Sequence, residues 1–222
     1  MGDNMKGVLK NAIIDRAEKK ILDETIPFDR LMMKYRCALR EVQTKFEVLN
    51  EDFSARHNRN PVESIKTRIK SPHSIIKKMQ KKEIRFTADN IENNITDIAG
   101  VRVICSFVDD IYEMARLLSE QDDIEVLEVI DYIKNPKESG YRSLHLVVQV
   151  PIFLAEGKEY MKVEVQIRTI AMDFWASLEH KLRYKKEIEN SEAIGDRLKK
   201  CAEEIERLDL EMQAIREEIE LE

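Results

Sequence analysis

The chain has 222 residues, 43% hydrophobic, with three cysteines and a formal net charge of -6. That length and apolar share suffice for one domain with helical additions around a real core. Cys37, Cys105 and Cys201 lie far apart with no C-x-x-C, which argues against a disulfide framework or a structural zinc site.

The N-terminus has no apolar run flanked by a cleavage site, and no run of about 18 apolar residues occurs anywhere, so a reduced, cytoplasmic protein is expected. A short amphipathic helix is predicted around Val8–Leu22. Phe28 to Phe53 follows as one long helix. Its Phe28, Met32, Tyr35, Leu39, Val42, Phe46, Leu49 and Phe53 step by four and three, a heptad pattern, and Pro27 suits its first turn. Ile65 to Ile69 reads as a strand, and Pro72 starts a helix running to about Lys82. Val101 to Phe107 is a short apolar strand. Asp109 to Ser119 is a helix with Asp109 or Asp110 as its N-cap. Ile124–Ile133 and Arg142–Val150 alternate as strands, the second ending at Pro151. After a turn at Gly157, Tyr160–Thr169 is the cleanest strand in the chain. Ile170–Lys186 is helical.

A final helix carries Ile194, Leu198, Cys201, Ile205, Leu208, Met212, Ile215 and Ile219 among charged neighbours. So narrow a seam must pack on another helix, the N-terminal one or one from a second subunit. The fold class is α/β (α+β), a mixed sheet of about five strands flanked by helices. Residues 1–60 form N-terminal helices, 61–185 the core and 186–222 a C-terminal amphipathic helix, one compact domain overall.

Charge is segregated. Lys66 to Arg85 holds eight basic residues against Glu83 alone, a net +7, while Lys186 to Glu222 holds six basic and thirteen acidic residues, a net -7. A compact basic segment in an acidic chain points to a local polyanion site or to a solvated helix face. The segment contains Arg68, Lys70, Ser74 and Lys78, the last two on one helix face. Arginine offers phosphate a bidentate fork and lysine a point charge. No G-x-x-x-x-G-K-[ST] or G-x-G-x-x-G occurs, so any triphosphate must be held by side chains.

Alternation sorts the Lys162–Thr169 strand. Val163, Val165 and Ile167 point one way, and Lys162, Glu164, Gln166 and Arg168 the other. Ser143 and His145 alternate likewise on the preceding strand, so two strands offer Ser, His, Glu, Gln and Arg to what is either a binding wall or a solvent face. Asp97, before a central strand, and Glu164 form a reasonable Mg²⁺ pair, although a helix or turn cap explains Asp97 equally well. Tyr141 after Gly140 is placed to stack on a base or to cover the sheet edge. Phe174, Trp175 and His180 read as helix packing.

The strings R-I-K-S-P-H-S-I-I-K-K-M (68–79), D-I-A-G-V-R-V-I-C (97–105), G-Y-R-S-L-H-L (140–146), V-E-V-Q-I-R-T (163–169) and A-M-D-F-W-A-S-L-E-H (171–180) resemble the synthetase domain of the RelA/SpoT homologues. The likeness runs from about Pro61 to Tyr184, and the short flanks resemble the stand-alone small alarmone synthetases. The resemblance implies a nucleotidyltransferase-like core that moves the β,γ-pyrophosphate of ATP to the ribose 3′-OH of GDP or GTP, giving AMP and (p)ppGpp. It implies Arg68 and Arg102 beside the adenine, and Lys70, Ser74, Lys78 and Lys81 on the ATP phosphates. It implies Asp97 and Glu164 on Mg²⁺ with Glu164 also the base, and Tyr141, His145, Gln166 and Lys137 on the acceptor. It implies a homotetramer through the terminal helices. It gives Arg168 no role.

Two departures stand out. Ile130 occupies a position that is basic in some relatives, and Ser64 stands in a stretch that carries an aromatic in relatives activated by product, so little activation by pppGpp is expected. The competing readings are a catalytically silent guanine-nucleotide sensor using the same pocket and an RNA-binding module using Lys66 to Arg85.

Overall fold

The computed structural model describes residues 25–183 and 191–221. The helix predicted around Val8–Leu22 lies outside them, as does the predicted end of the Ile170–Lys186 helix. Helix α1 runs Thr25–His57. Its stripe of Met32, Tyr35, Leu39, Val42, Phe46 and Phe53 is buried, with Phe28 and Leu49 packed at its margins. The stripe lies mainly on the sheet, with further contacts to the helices Ala88–Asn94 and Val108–Ser119. Each fully buried side chain of this kind contributes roughly 1.5–3 kcal/mol.

The sheet has five strands: β1 Val62–Ile69, β2 Ala99–Cys105, β3 Glu125–Asp131, β4 Leu144–Leu154 and β5 Gly157–Thr169. Their order is β1-β2-β5-β4-β3, with β2 and β5 parallel and the other pairs antiparallel. Val101, Val103, Leu144, Leu146, Val148, Val163, Val165 and Ile167 are buried on the face that α1 covers with helix Val108–Ser119. The opposite face carries Lys66, Arg102, Gln166, His145 and Ile130 in one pairing row across all five strands. Directly paired residues share a face, so this row aligns five side chains drawn from distant parts of the chain.

The helices are α2 Pro72–Lys81, α3 Ala88–Asn94, α4 Val108–Ser119, α5 Ile170–Arg183 and α6 Ser191–Glu220. Ser71 caps α2, its hydroxyl accepting from the Ser74 amide. Among the described residues no helix is long and apolar enough to cross a membrane.

Several expectations change. β4 continues through Pro151 to Leu154. The last β3 partner on that side pairs with Gln149, so Pro151 has only β5 beside it and behaves as an edge residue. Helix α3 was not predicted: Thr87 caps it, and only Ile91 within it is buried, too little for periodicity to register. Neither Asp109 nor Asp110 caps α4. Phe107 stands at the N-cap without a side-chain bond, and both aspartates lie in the first turn, Asp109 paired with Arg216 at 2.6 Å and Asp110 with Arg59 at 2.7 Å.

The largest correction concerns α6. Its first half sits down around Ala202, which is 4% exposed, with Ile194, Leu198 and Ile205 partly buried, and its second half turns Asp209, Gln213 and Arg216 inward, while Leu208, Met212, Ile215 and Ile219 remain 43–67% exposed. The N-terminal helix is occupied by the sheet, so it does not cover this seam.

Candidate active site

The polar sheet face opens into a cleft of about 620 Å³. It is lined by Lys66, Thr67, Arg68, Lys70, Asp97, Gly100, Val101, Arg102, Lys137, Tyr141, His145, Glu164 and Gln166. Nine residues singled out from the sequence meet here. Lys78 joins them through Asp97. Ser74 sits in the first turn of α2 behind its cap, and Lys81 is exposed in the last turn; neither lines the cleft. A second cavity of about 550 Å³ adjoins the first, sharing Arg68, Arg102, Tyr141 and Gln166 and bounded beyond them by α5.

At one end Asp97 sits in the bend between α3 and β2. Its carboxylate takes Lys70 Nζ at 2.6 Å and pairs with Lys78 Nζ at 2.9 Å. Burial alone would raise its pKa, but the bonds and charge of the two lysines outweigh that and hold it below the ordinary carboxylate value. Lys70 and Lys78 are thus engaged, and Lys66 is bonded to Asp173 at 3.0 Å. Three of the segment's eight basic residues thus have acidic partners, while Arg68, Lys77, Lys81, Lys82 and Arg85 are exposed.

Glu164 behaves oppositely. Burial first, and then the charge of Asp97, raise its pKa, partly offset by Gln166, Lys78 and Lys70. Its Oε2 accepts from Gln166 Nε2 at 3.1 Å. Asp97 and Glu164 are the two carboxylates lining the cleft, and their repulsion is visible in that shift.

Arg168, without a role from sequence, organises the other end. It is 2% exposed. Nη2 donates to Tyr141 Oη at 2.7 Å and to Gln166 Oε1 at 2.8 Å, and Nη1 to Asp173 at 3.4 Å. Tyr141 Oη lies 2.9 Å from His145 Nε2. His145 is pushed down to about 4, by burial first and then by Arg168, Lys137 and Arg102, so its ring is neutral at pH 7. Tyr141 Oη accepts from Arg168, and the direction of its contact with His145 Nε2 depends on the ring's tautomer. His145 Nδ1 lies 3.8 Å from Glu164 Oε1. One network therefore runs from Asp173 through Arg168, Tyr141 and His145 toward Glu164.

Two participants were missed. Asp173 accepts from Lys66, Arg102 and Arg168 at 3.0–3.4 Å and is 8% exposed. A lone aspartate in an apolar helix gives no sign of that. Tyr132 packs edge-on to His145 at 5.1 Å, and Lys137 Nζ lies 4.5 Å from its ring and 5.0 Å from that of Tyr141. Tyr132, two residues past Ile130, gave no signal of its own in the sequence.

Gly100 lies between Arg68 and Glu164 in the pairing row below. A Cβ there meets nothing nearer than the Arg68 carbonyl at 3.8 Å. Gly100→Val should therefore fold with an unchanged melting temperature, while its side chain enters the cleft. We expect the KM for nucleotide to rise about tenfold, or ~1.4 kcal/mol. Paired calorimetry and kinetics check this; an unchanged KM would show that the floor above Gly100 is not in contact with substrate.

The comparisons show the family and the fold. Residues 67–189 match the family model described as the region found in RelA / SpoT proteins. The chain is 43% identical to the GTP pyrophosphokinase YwaC of Bacillus subtilis over 85% of its own length and 90% of that protein. It superposes on small alarmone synthetase 1 from B. subtilis bound to its product pppGpp with a TM-score of 0.78 at 39% identity, covering 86% of this chain and 97% of that one. It superposes on the same synthetase bound to AMPCPP with a TM-score of 0.73 at 36% identity, covering 88% and 98%. The chain belongs to the RelA/SpoT family, with the size and mixed five-stranded fold of its small alarmone synthetases.

Proposed function

We propose that the protein is a GTP pyrophosphokinase that transfers the β,γ-pyrophosphate of ATP to the ribose 3′-OH of GDP or GTP. The observation that carries this reading is one cleft holding a carboxylate of raised proton affinity, Glu164, beside the cations Arg68, Lys70, Lys78 and Arg102. The names of the similar proteins, and the pppGpp and AMPCPP bound in two structures of one of them, support it.

In this reading Arg68 and Arg102 flank the adenine, with Asp173 aiming the Arg102 guanidinium. Lys70 and Lys78 turn from Asp97 to the ATP phosphates, joined by Ser74 and the amide-rich start of α2, with Lys81 farther along that helix. Tyr141, His145, Gln166 and Lys137 receive the acceptor. Asp97 and Glu164 fit a hard divalent cation with few protein ligands, and Mg²⁺ bound there would neutralise phosphate charge. Glu164 accepts the 3′-OH proton as the new O–P bond forms and the bond between the α- and β-phosphates breaks, releasing AMP. Most of the rate enhancement comes from in-line positioning and charge neutralisation. His145 stays neutral, so it lies beside Glu164 without adding positive charge.

Incubation with ATP, GDP and Mg²⁺, followed by ion-exchange chromatography, tests the reading. Equal amounts of AMP and a more highly phosphorylated guanosine nucleotide are expected; neither product, or ADP in place of AMP, refutes it. The enzyme would work in the cytoplasm, where both nucleotides occur. The open seam Leu208–Met212–Ile215–Ile219 is suited to a second copy of the chain, within a homotetramer. Light scattering should give four chains, and a monomer would refute the assembly.

A further inference from the structure

Helix α6 does more than carry an open seam. Gly140, immediately before Tyr141, is buried with φ at 89°, and a Cβ there would come within 2.6 Å of the Ala202 side chain. A residue other than glycine is excluded twice, by the backbone and by the helix. Arg142, immediately after Tyr141, pairs with Glu206, one turn along α6 from Ala202, and also donates to the Ile133 carbonyl at 3.1 Å. Between these anchors the turn closes on itself, Gly140 N bonding Lys137 O at 2.8 Å and Lys137 N bonding Tyr141 O at 3.2 Å. The backbone that presents Tyr141 and Lys137 to the cleft is thus gripped on both sides by one helix face.

The seat of α6 does not depend on that turn. Thr169 Oγ1 donates to Asp209 at 2.6 Å, and Trp175 Nε1 donates to the Leu198 carbonyl at 2.9 Å. These contacts fix the helix register on β5 and α5. Arg142 has a side chain only 12% exposed, so its charge needs the nearby carboxylate. Without Glu206, the guanidinium must turn to water and take the neighbouring backbone with it.

We propose that α6 is a working part of the acceptor half of the active site. Glu206, with Ala202 behind Gly140, is a positioning residue that sets the 137–142 turn so that Tyr141 and Lys137 meet the guanine nucleotide. The inference rests on the reading of those two residues as acceptor contacts. It gives the C-terminal helix two faces with two tasks, a polar one toward the turn and an apolar one toward a second subunit.

The test is steady-state kinetics of Glu206→Ala, Glu206→Gln and, in parallel, Tyr141→Ala. For Glu206→Ala the KM for GDP should rise about tenfold. The KM for ATP and the melting temperature should stay unchanged, and Glu206→Gln, which keeps an acceptor oxygen for Arg142 but not the charge, should recover part of the loss. A GDP KM that is unmoved in Glu206→Ala but raised in Tyr141→Ala overturns the positioning role alone. Parallel rises in both KM values with a lowered melting temperature also overturn it, as plain destabilisation. A GDP KM unmoved by Tyr141→Ala refutes the acceptor reading itself and the inference with it.

Discussion

Glu164→Gln should lower kcat about 10³-fold, within the range for loss of a general base, while the KM values for both nucleotides change little. The substitution keeps shape and an oxygen that can accept from Gln166 Nε2, so the loss isolates the carboxylate's proton affinity. Stability should not fall. Burial and Asp97 raise the folded-state pKa of Glu164 above its unfolded value. Between those two values the folded protein binds more protons, so the contribution of Glu164 is favourable at low pH and is lost as pH rises through the raised pKa. At neutral pH the wild type therefore carries a charge cost that glutamine removes, and the melting temperature of the variant should equal or exceed that of the wild type. The same shift places the acid limb of the kcat/KM profile above the ordinary glutamate value of about 4.3. A variant retaining wild-type kcat, or an acid limb at the ordinary value, would remove Glu164 as the base.

Arg168→Met should be the most destabilising single change in the site, costing about 3 kcal/mol, which for a chain of this size lowers the melting temperature by roughly 6–12 °C. Arg168 is buried and donates at once to Tyr141, Gln166 and Asp173. Removing it takes the donor from two half-buried acceptors, Tyr141 Oη and Gln166 Oε1, although Lys66 and Arg102 still neutralise Asp173. Activity should fall with stability, because the tyrosine loses the donor that fixes its orientation. Arg168→Lys separates the two effects. It keeps the charge and most of the stability but cannot reproduce a planar fork to three acceptors, so transfer should remain impaired in a well-folded protein. Thermal melts and turnover measured on both variants decide the matter; an Arg168→Met protein as stable as wild type would show that the network is not structural.

The sequence made the sheet legible because its signal is local. Alternation in 162–169 separates the buried Val163, Val165 and Ile167 from Glu164 and Gln166, and pairing in the folded sheet then sets Gln166 beside both Arg102 and His145. Asp173 was illegible for the opposite reason. Its role arises only when α5 lies against the sheet and brings it to Lys66 and Arg102, 107 and 71 residues away. Arg168 shows the limit of alternation, which gives the face of a residue but not its depth. The α6 seam shows another: periodicity finds the apolar stripe, yet the face that docks is chosen by individual polar partners such as Arg142, Thr169 and Asp109. The missing helix α3 held too few apolar residues to register.

The most direct test follows the phosphorus atoms through a single turnover. ATP labelled separately at the α-, β- and γ-phosphates is mixed with GDP, Mg²⁺ and excess enzyme, and the products are resolved. Both the β and γ labels should appear on the guanosine 3′ position in equal amounts, with the α label retained in AMP. Transfer of the γ label alone, with ADP as the other product, would contradict pyrophosphate transfer and the assignment of this cleft to it.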